Sequence, residues 1–151
     1  MSILEGLLRK LGLHNVSRHR TPIRVFLLDD DTLRHRWFAR RFKGDRLDIA
    51  DHPAAAIELL GANSYDALFL DHDLLPEHYH SPDFDDERTG YAVATWLASH
   101  PESQPGSTIM VHTRNADGAM RMIEELRRGG RQAEYVPFPV LAPTIKNYWR
   151  R

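Results

Sequence analysis

Apolar residues come along this chain in short runs, too brief for helices and too continuous for strands with one wet face. Ile23–Leu28, Leu47–Ala50, Asp66–Leu70, Ser107–His112 and Glu134–Phe138 are of this kind. Such runs read as strands covered on both faces, which is the habit of a parallel sheet. Between them lie segments with helical spacing and helical punctuation. Asp31 or Thr32 caps a helix reaching Phe42, and Gly44 ends it. Pro53 opens a second, Ala54–Leu60, closed by Gly61. Thr89 or Gly90 starts a third, Tyr91–Ser99, stopped before Pro101; a fourth runs from Asp117 to Arg128 and meets Gly129-Gly130. Two prolines beside Phe138 prevent clean continuation of the fifth strand, and the tail from Ile145 to Trp149 makes a last turn.

Strands alternating with helices predict an α/β domain built on a five-stranded, doubly wound parallel sheet. The order 2-1-3-4-5 brings the first and third strands together at the point where the winding reverses, and ligands bind at that edge of such sheets. Upstream, Ile3, Leu4, Leu7, Leu8 and Leu11 recur at helical spacing opposite Arg9 and Lys10. They predict an N-terminal amphipathic helix that packs on the domain, on a second copy or on a partner protein, with a weak membrane-surface role as the alternative. A basic linker follows, so residues 1–22 form one unit and 23–151 the main domain.

Composition narrows the function classes. A net charge of −1 leaves no strong field for nucleic acid or anionic lipid. Cysteine is absent, which excludes disulfides, thiolate metal sites and thiol nucleophiles and agrees with a cytoplasmic location. No apolar stretch approaches a membrane span, and the N-terminus lacks a secretory signal pattern.

The chemistry gathers where strands end. The first run stops at Asp29-Asp30-Asp31 and the third at Asp71-His72-Asp73. Carboxylates crowded at one sheet edge are costly without a cation, and hard oxygen donors suit Mg²⁺, Mn²⁺ or Ca²⁺. The candidate metal ligands are therefore Asp29, Asp30, Asp71 and Asp73. On an extended strand Asp71 and Asp73 share a face while His72 points away. The fourth strand ends at His112-Thr113-Arg114-Asn115, where His112 can serve as acid or base and Thr113 and Asn115 can hold a phosphoryl oxygen. Asn115 equally suits a helix cap. A polar loop over 75–88 carries His78 and His80, and Arg88 and Arg114 are candidates for an anionic substrate. No Gly-rich phosphate loop or nucleophile elbow is present.

Acids after strand one, Asp71 ending strand three and Thr113 after strand four resemble a response-regulator receiver domain, a flavodoxin-like arrangement. That resemblance implies Mg²⁺ on Asp29 and Asp30 and a phosphoacceptor at Asp71. The lysine that receivers carry at the end of strand five is missing from Tyr135-Val136-Pro137-Phe138-Pro139. A closer resemblance lies in Phe69-Leu70-Asp71-His72-Asp73-Leu74, Thr89-Gly90-Tyr91 and Val111-His112-Thr113-Arg114-Asn115 with Gly118 and Ala119. These are similar to the motifs of the cyclic-phosphate processing receiver family. The resemblance implies action on cyclic nucleotides or 2′,3′-cyclic RNA ends, with His72 joining Thr113 and Asn115 as substrate-binding residues. The resulting expectation is a metal-dependent phosphoesterase with Asp71 and His112 as catalytic residues. Its alternatives are a non-enzymatic receiver or pseudo-receiver module, and a sensor that binds a cyclic nucleotide without cleaving it.

Overall fold

The computed structural model describes residues 20–149. The expected N-terminal helix lies outside the described residues. Strands β1 (Arg24–Leu28), β2 (Arg46–Ala50), β3 (Ala67–Leu70), β4 (Thr108–Val111) and β5 (Ala133–Tyr135) form one sheet in the order β2-β1-β3-β4-β5. Every neighbouring pair is parallel. The helices are α1 (Thr32–Arg41), α2 (Pro53–Ala62), α3 (Gly90–Ser99), α4 (Ala116–Arg128) and α5 (Phe138–Thr144), with single 3₁₀ turns at Pro76–His80 and Ile145–Asn147. The sheet order read from the sequence is the one observed.

Alternation along the strands divides the core in two. Val25, Leu27, Ala67, Phe69 and Met110 face α1 and α5, where Phe38, Phe42 and Leu141 cover them. Phe26, Leu28, Leu68, Leu70, Ile109 and Val111 face the other way, beneath Leu60 of α2, Val93 and Leu97 of α3, and Met122 and Leu126 of α4. All of these side chains are essentially inaccessible, so the sheet is sealed on both sides.

One element departs from the sequence reading. Strand β5 ends at Tyr135, and Phe138 opens α5 instead of closing a strand. Pro137 and Pro139 permit this because the first helical turn has no use for their missing N–H groups. The Phe138 N–H then donates to the His112 carbonyl at 2.9 Å, docking α5 beside the end of β4. The long polar loop is also more ordered than its composition suggests. His78 is buried, and its Nδ1 accepts from the N–H groups of Leu74 and Leu75, each at 3.2 Å.

Two helical glycines make opposite predictions. A Cβ on Gly90 would lie 1.8 Å from the Asp71 carbonyl oxygen, because α3 begins hard against the end of β3. At Gly61 the nearest atom would be Trp96 Cζ2, at 3.9 Å. Urea denaturation should show Gly61→Ala gaining up to about 1 kcal/mol from helix propensity. Gly90→Ala should lose about 1–3 kcal/mol from overpacking.

Candidate active site

Register builds the centre. Leu28 pairs with Leu70, and Leu70 with Val111. One residue further along each strand come Asp29, Asp71 and His112, still held by ladder bonds. Asp71 N–H donates to Leu28 O at 2.9 Å, and His112 N–H to Leu70 O at 3.0 Å. Three adjacent strands therefore release two acids and a histidine abreast, on the face shared by Leu27, Phe69 and Met110. One potential ligand atom from each lies within 4.8 Å of the others, and all three residues are buried.

Buried carboxylates side by side need neutralisation, and Arg34 supplies it. Asp31 caps α1 by accepting from the N–H groups of Leu33 and Arg34 at 2.8 and 3.1 Å. That cap turns the first helical turn toward the strand ends. Arg34 Nε donates to Asp29 Oδ2 at 2.7 Å and Nη2 to Asp29 Oδ1 at 2.9 Å. The same Nη2 reaches Asp71 Oδ2 at 3.2 Å. Asp29 Oδ2 also accepts from His112 Nε2 at 2.7 Å, and Oδ1 from the Asp31 N–H at 2.8 Å. Because Asp29 offers only acceptors, Nε2 carries the proton of the His112 ring.

The environment drives the two acids apart. Burial would raise Asp29, but the hydrogen bonds from His112 and Arg34 outweigh it and hold the carboxyl well below its usual range. Asp71 is pushed up to about 6, chiefly by burial, with the neighbouring Asp29 charge adding to it. His112, Arg34 and the Thr113 hydroxyl pull the other way and only partly offset this. Asp30 is raised by its own burial and by Asp29. Its Oδ1 is buried without a hydrogen-bond partner, 4.0 Å from Arg34 Nη2.

The remaining expected site residues fall into a second group behind the first. The chain bends after Leu70, so the expectation that His72 points away from Asp73 does not hold. His72 Nδ1 donates to Asp73 Oδ1 at 2.7 Å, and Nε2 donates to the Phe84 carbonyl at 2.9 Å. Acceptors at both nitrogens require a proton on both, so His72 is an imidazolium paired with Asp73. Burial alone would lower its pKa, but these two bonds raise it. The ring is 1% exposed and lies against Gly118, where an added Cβ would sit 2.6 Å from Cγ. His72 thus joins the loop to α4 rather than facing a ligand. Asn115 donates to Asp73 Oδ1 at 3.1 Å and accepts from the Gly118 N–H at 3.0 Å, so it caps α4 with its whole amide engaged. Asp73 accordingly stands with His72 and Asn115, apart from the Asp29–Asp71–His112 group. Thr113 is buried against Asp71.

Of the loop candidates, His80 and Arg114 are exposed, and Arg88 pairs with Asp86 and Glu77. Sequence reasoning missed three residues. Arg34 lies one turn into α1, where an arginine after an acidic strand end was the available signal. Its neighbour His35 donates from Nε2 to the Asp29 carbonyl at 2.6 Å. The pKa of Tyr79, half exposed on the 3₁₀ turn, is raised by partial burial and by the charges of Asp30 and Asp71.

As a donor set, Asp29, Asp71 and the unpartnered oxygen of Asp30 suit a hard divalent cation. The guanidinium of Arg34 occupies the same lone pairs, so a metal fits once Arg34 has moved.

A five-stranded parallel sheet in this order, with acids at the C-terminal ends of β1 and β3, defines a receiver-type fold. Solved structures agree. A signal receiver domain of a putative Luxo repressor protein from Vibrio parahaemolyticus matches with TM-score 0.60 and 16% identity over 85% of this chain and 87% of that one. The response regulator TrrA from Thermotoga maritima, in complex with Mg²⁺-BeF, matches with TM-score 0.57 and 17% identity over 82% and 96%. A Burkholderia pseudomallei response regulator with a phosphorylated aspartic acid, calcium ion and citrate matches with TM-score 0.53 and 17% identity over 83% and 72%. No curated protein is significantly similar in sequence. The family model of the cyclic-phosphate processing receiver domain matches residues 23–128. The chain belongs to that family.

The raised pKa of Asp71 fixes the sign of a pH effect. Between the ordinary aspartate value and about 6 the folded protein holds a proton that the unfolded chain has released. Stability is therefore full below the ordinary value and falls as pH rises through about 6. Asp71→Asn removes this dependence. In EDTA, melting curves should show the variant gaining about 2 kcal/mol on wild type between pH 4 and 7. A constant difference across that range would contradict the burial argument.

Proposed function

We propose that this chain hydrolyses a cyclic phosphodiester at the Asp29–Asp71–His112 centre. The observation that carries this reading is the meeting of two buried acids and a histidine within 4.8 Å, in a member of a family named for cyclic-phosphate processing. The substrate class is a cyclic nucleotide or a 2′,3′-cyclic RNA end. A water oxygen forms the new bond to phosphorus and one ring ester bond breaks. Asp71 accepts the water proton. Protonated at its otherwise unpartnered Nδ1, His112 gives that proton to the leaving alkoxide, while Asp29 steadies the ring through the Nε2–H. Thr113 keeps Asp71 oriented. Asp29, Asp30 and Asp71 would hold one Mg²⁺ or Mn²⁺, which supplies Lewis acidity toward the phosphoryl oxygens. His72, Asp73 and Asn115 act from behind, by fixing the loop and α4. The apolar stripe of Ile3, Leu4, Leu7, Leu8 and Leu11 offers a contact for a second copy or a partner protein. Among the described residues no helix is long and apolar enough to cross a membrane.

A second reading, a receiver phosphorylated on Asp71, draws support from the position of Asp71 at the end of β3 beside Thr113. It lacks a cation from β5, where Val136 follows Tyr135 into the register position beside His112.

The full chain, incubated with 2′,3′-cyclic and 3′,5′-cyclic nucleotides and Mg²⁺ or Mn²⁺, should yield ring-opened monophosphate by ³¹P NMR. Asp71→Ala and His112→Ala should each cut the rate by about 10²-fold or more. Absence of turnover in the wild type defeats the hydrolase reading. A stable phosphoryl gain from acetyl phosphate, seen by intact mass and lost in Asp71→Asn, favours the receiver.

A further inference from the structure

Arg34 does something a surface arginine does not. Its guanidinium spends Nε and Nη2 on both oxygens of a fully buried aspartate and shares Nη2 with a second acid from another strand. Those oxygens are the donors a divalent ion would need. Guanidinium and ion cannot share them, because both require the same lone pairs and repel each other at that distance. Arg34 also closes the centre. Asp29, Asp71 and His112 are at most 3% exposed, whereas the Arg34 side chain keeps 19% of its surface in solvent. A partner outside the acid pair is already near, with Asp31 Oδ2 at 3.4 Å from Nη1.

We propose that Arg34 and a divalent cation are alternative counter-ions for the Asp29–Asp71 pair, and that the displaced guanidinium becomes the group that holds phosphoryl oxygens. This rests on the reading of the centre as a metal-assisted phosphate site. Two buried carboxylates carry more negative charge than one guanidinium cancels, so a doubly charged ion gains where Arg34 yields. The released fork is planar, always charged and matched to two phosphoryl oxygens. It also accounts for the missing basic residue on β5. The phosphate-facing cation comes from the first turn of α1 instead. Arg34 covers the acid pair until a divalent ion displaces it.

Three measurements on the full chain test this, none requiring turnover. In ¹H–¹⁵N spectra of the wild type, the Arg34 Nε–H signal should move as Mg²⁺ is added. Mg²⁺ binding without that movement, or no Mg²⁺ binding, overturns the proposal. By calorimetry, Arg34→Gln should bind Mn²⁺ about tenfold tighter or more than wild type, because the competing state is gone. Equal or weaker binding by a folded variant overturns it. Inorganic phosphate should bind the wild type more tightly with Mn²⁺ than without, and Arg34→Gln should lose that enhancement. Enhancement retained in the variant removes the phosphate role. If Arg34→Gln does not fold, the wild-type spectra decide alone. A chain that exchanges Arg34 for Mn²⁺ but cleaves no nucleotide keeps this inference and loses the hydrolase. Cleavage with unchanged Mn²⁺ affinity does the reverse.

Discussion

Two carboxylates held side by side beneath the end of a sealed sheet set the terms for this molecule. The pairing of Leu28 with Leu70 leaves Asp29 and Asp71 as immediate neighbours. Ladder bonds hold both backbones, and both side chains are buried. The charge must be met where it lies. His112 arrives by the same register from β4, and Arg34 by the capped first turn of α1. The helix cap at Asp31 and the docking of Phe138 on the His112 carbonyl both serve this encounter.

The family motifs divide by depth. Asp29, Asp71, His112 and Thr113 gather at the strand ends. His72, Asp73, Asn115, Gly118, Thr89 and Gly90 build the wall behind it. Gly90 lets α3 start against the Asp71 carbonyl, and Gly118 lets α4 meet the His72 ring. The imidazolium of His72 ties the Phe84 backbone to Asp73, so the loop is stitched to the strand end. Motif residues that look equivalent in sequence thus do different work. One set meets at the strand ends, the other packs the loop and α4 behind it.

Ordinary receivers, by the resemblance described above, bring their fixed cation from the end of strand five. Here that place is apolar and a helix starts there. Positive charge enters from α1 instead, carried by a side chain long enough to leave again. A group on the first helix can cover the acids at rest and face a ligand afterwards.

Much of this was legible along the chain. Continuous apolar runs mark parallel strands because both faces are covered, and their alternation with helices marks one doubly wound sheet. Acids immediately after Leu28 and Leu70 mark the binding edge, because a buried run ending in carboxylates leaves them at the sheet rim. Single residues could not reveal their partners. Nothing in Asp71-His72-Asp73 says that the chain bends and turns His72 onto Asp73, and nothing in the spacing ties Arg34 to Asp29. Those choices belong to tertiary structure. A side chain's direction beyond the last ladder bond depends on which helix packs above it, and a buried charge pairs with whatever cation that packing brings within reach.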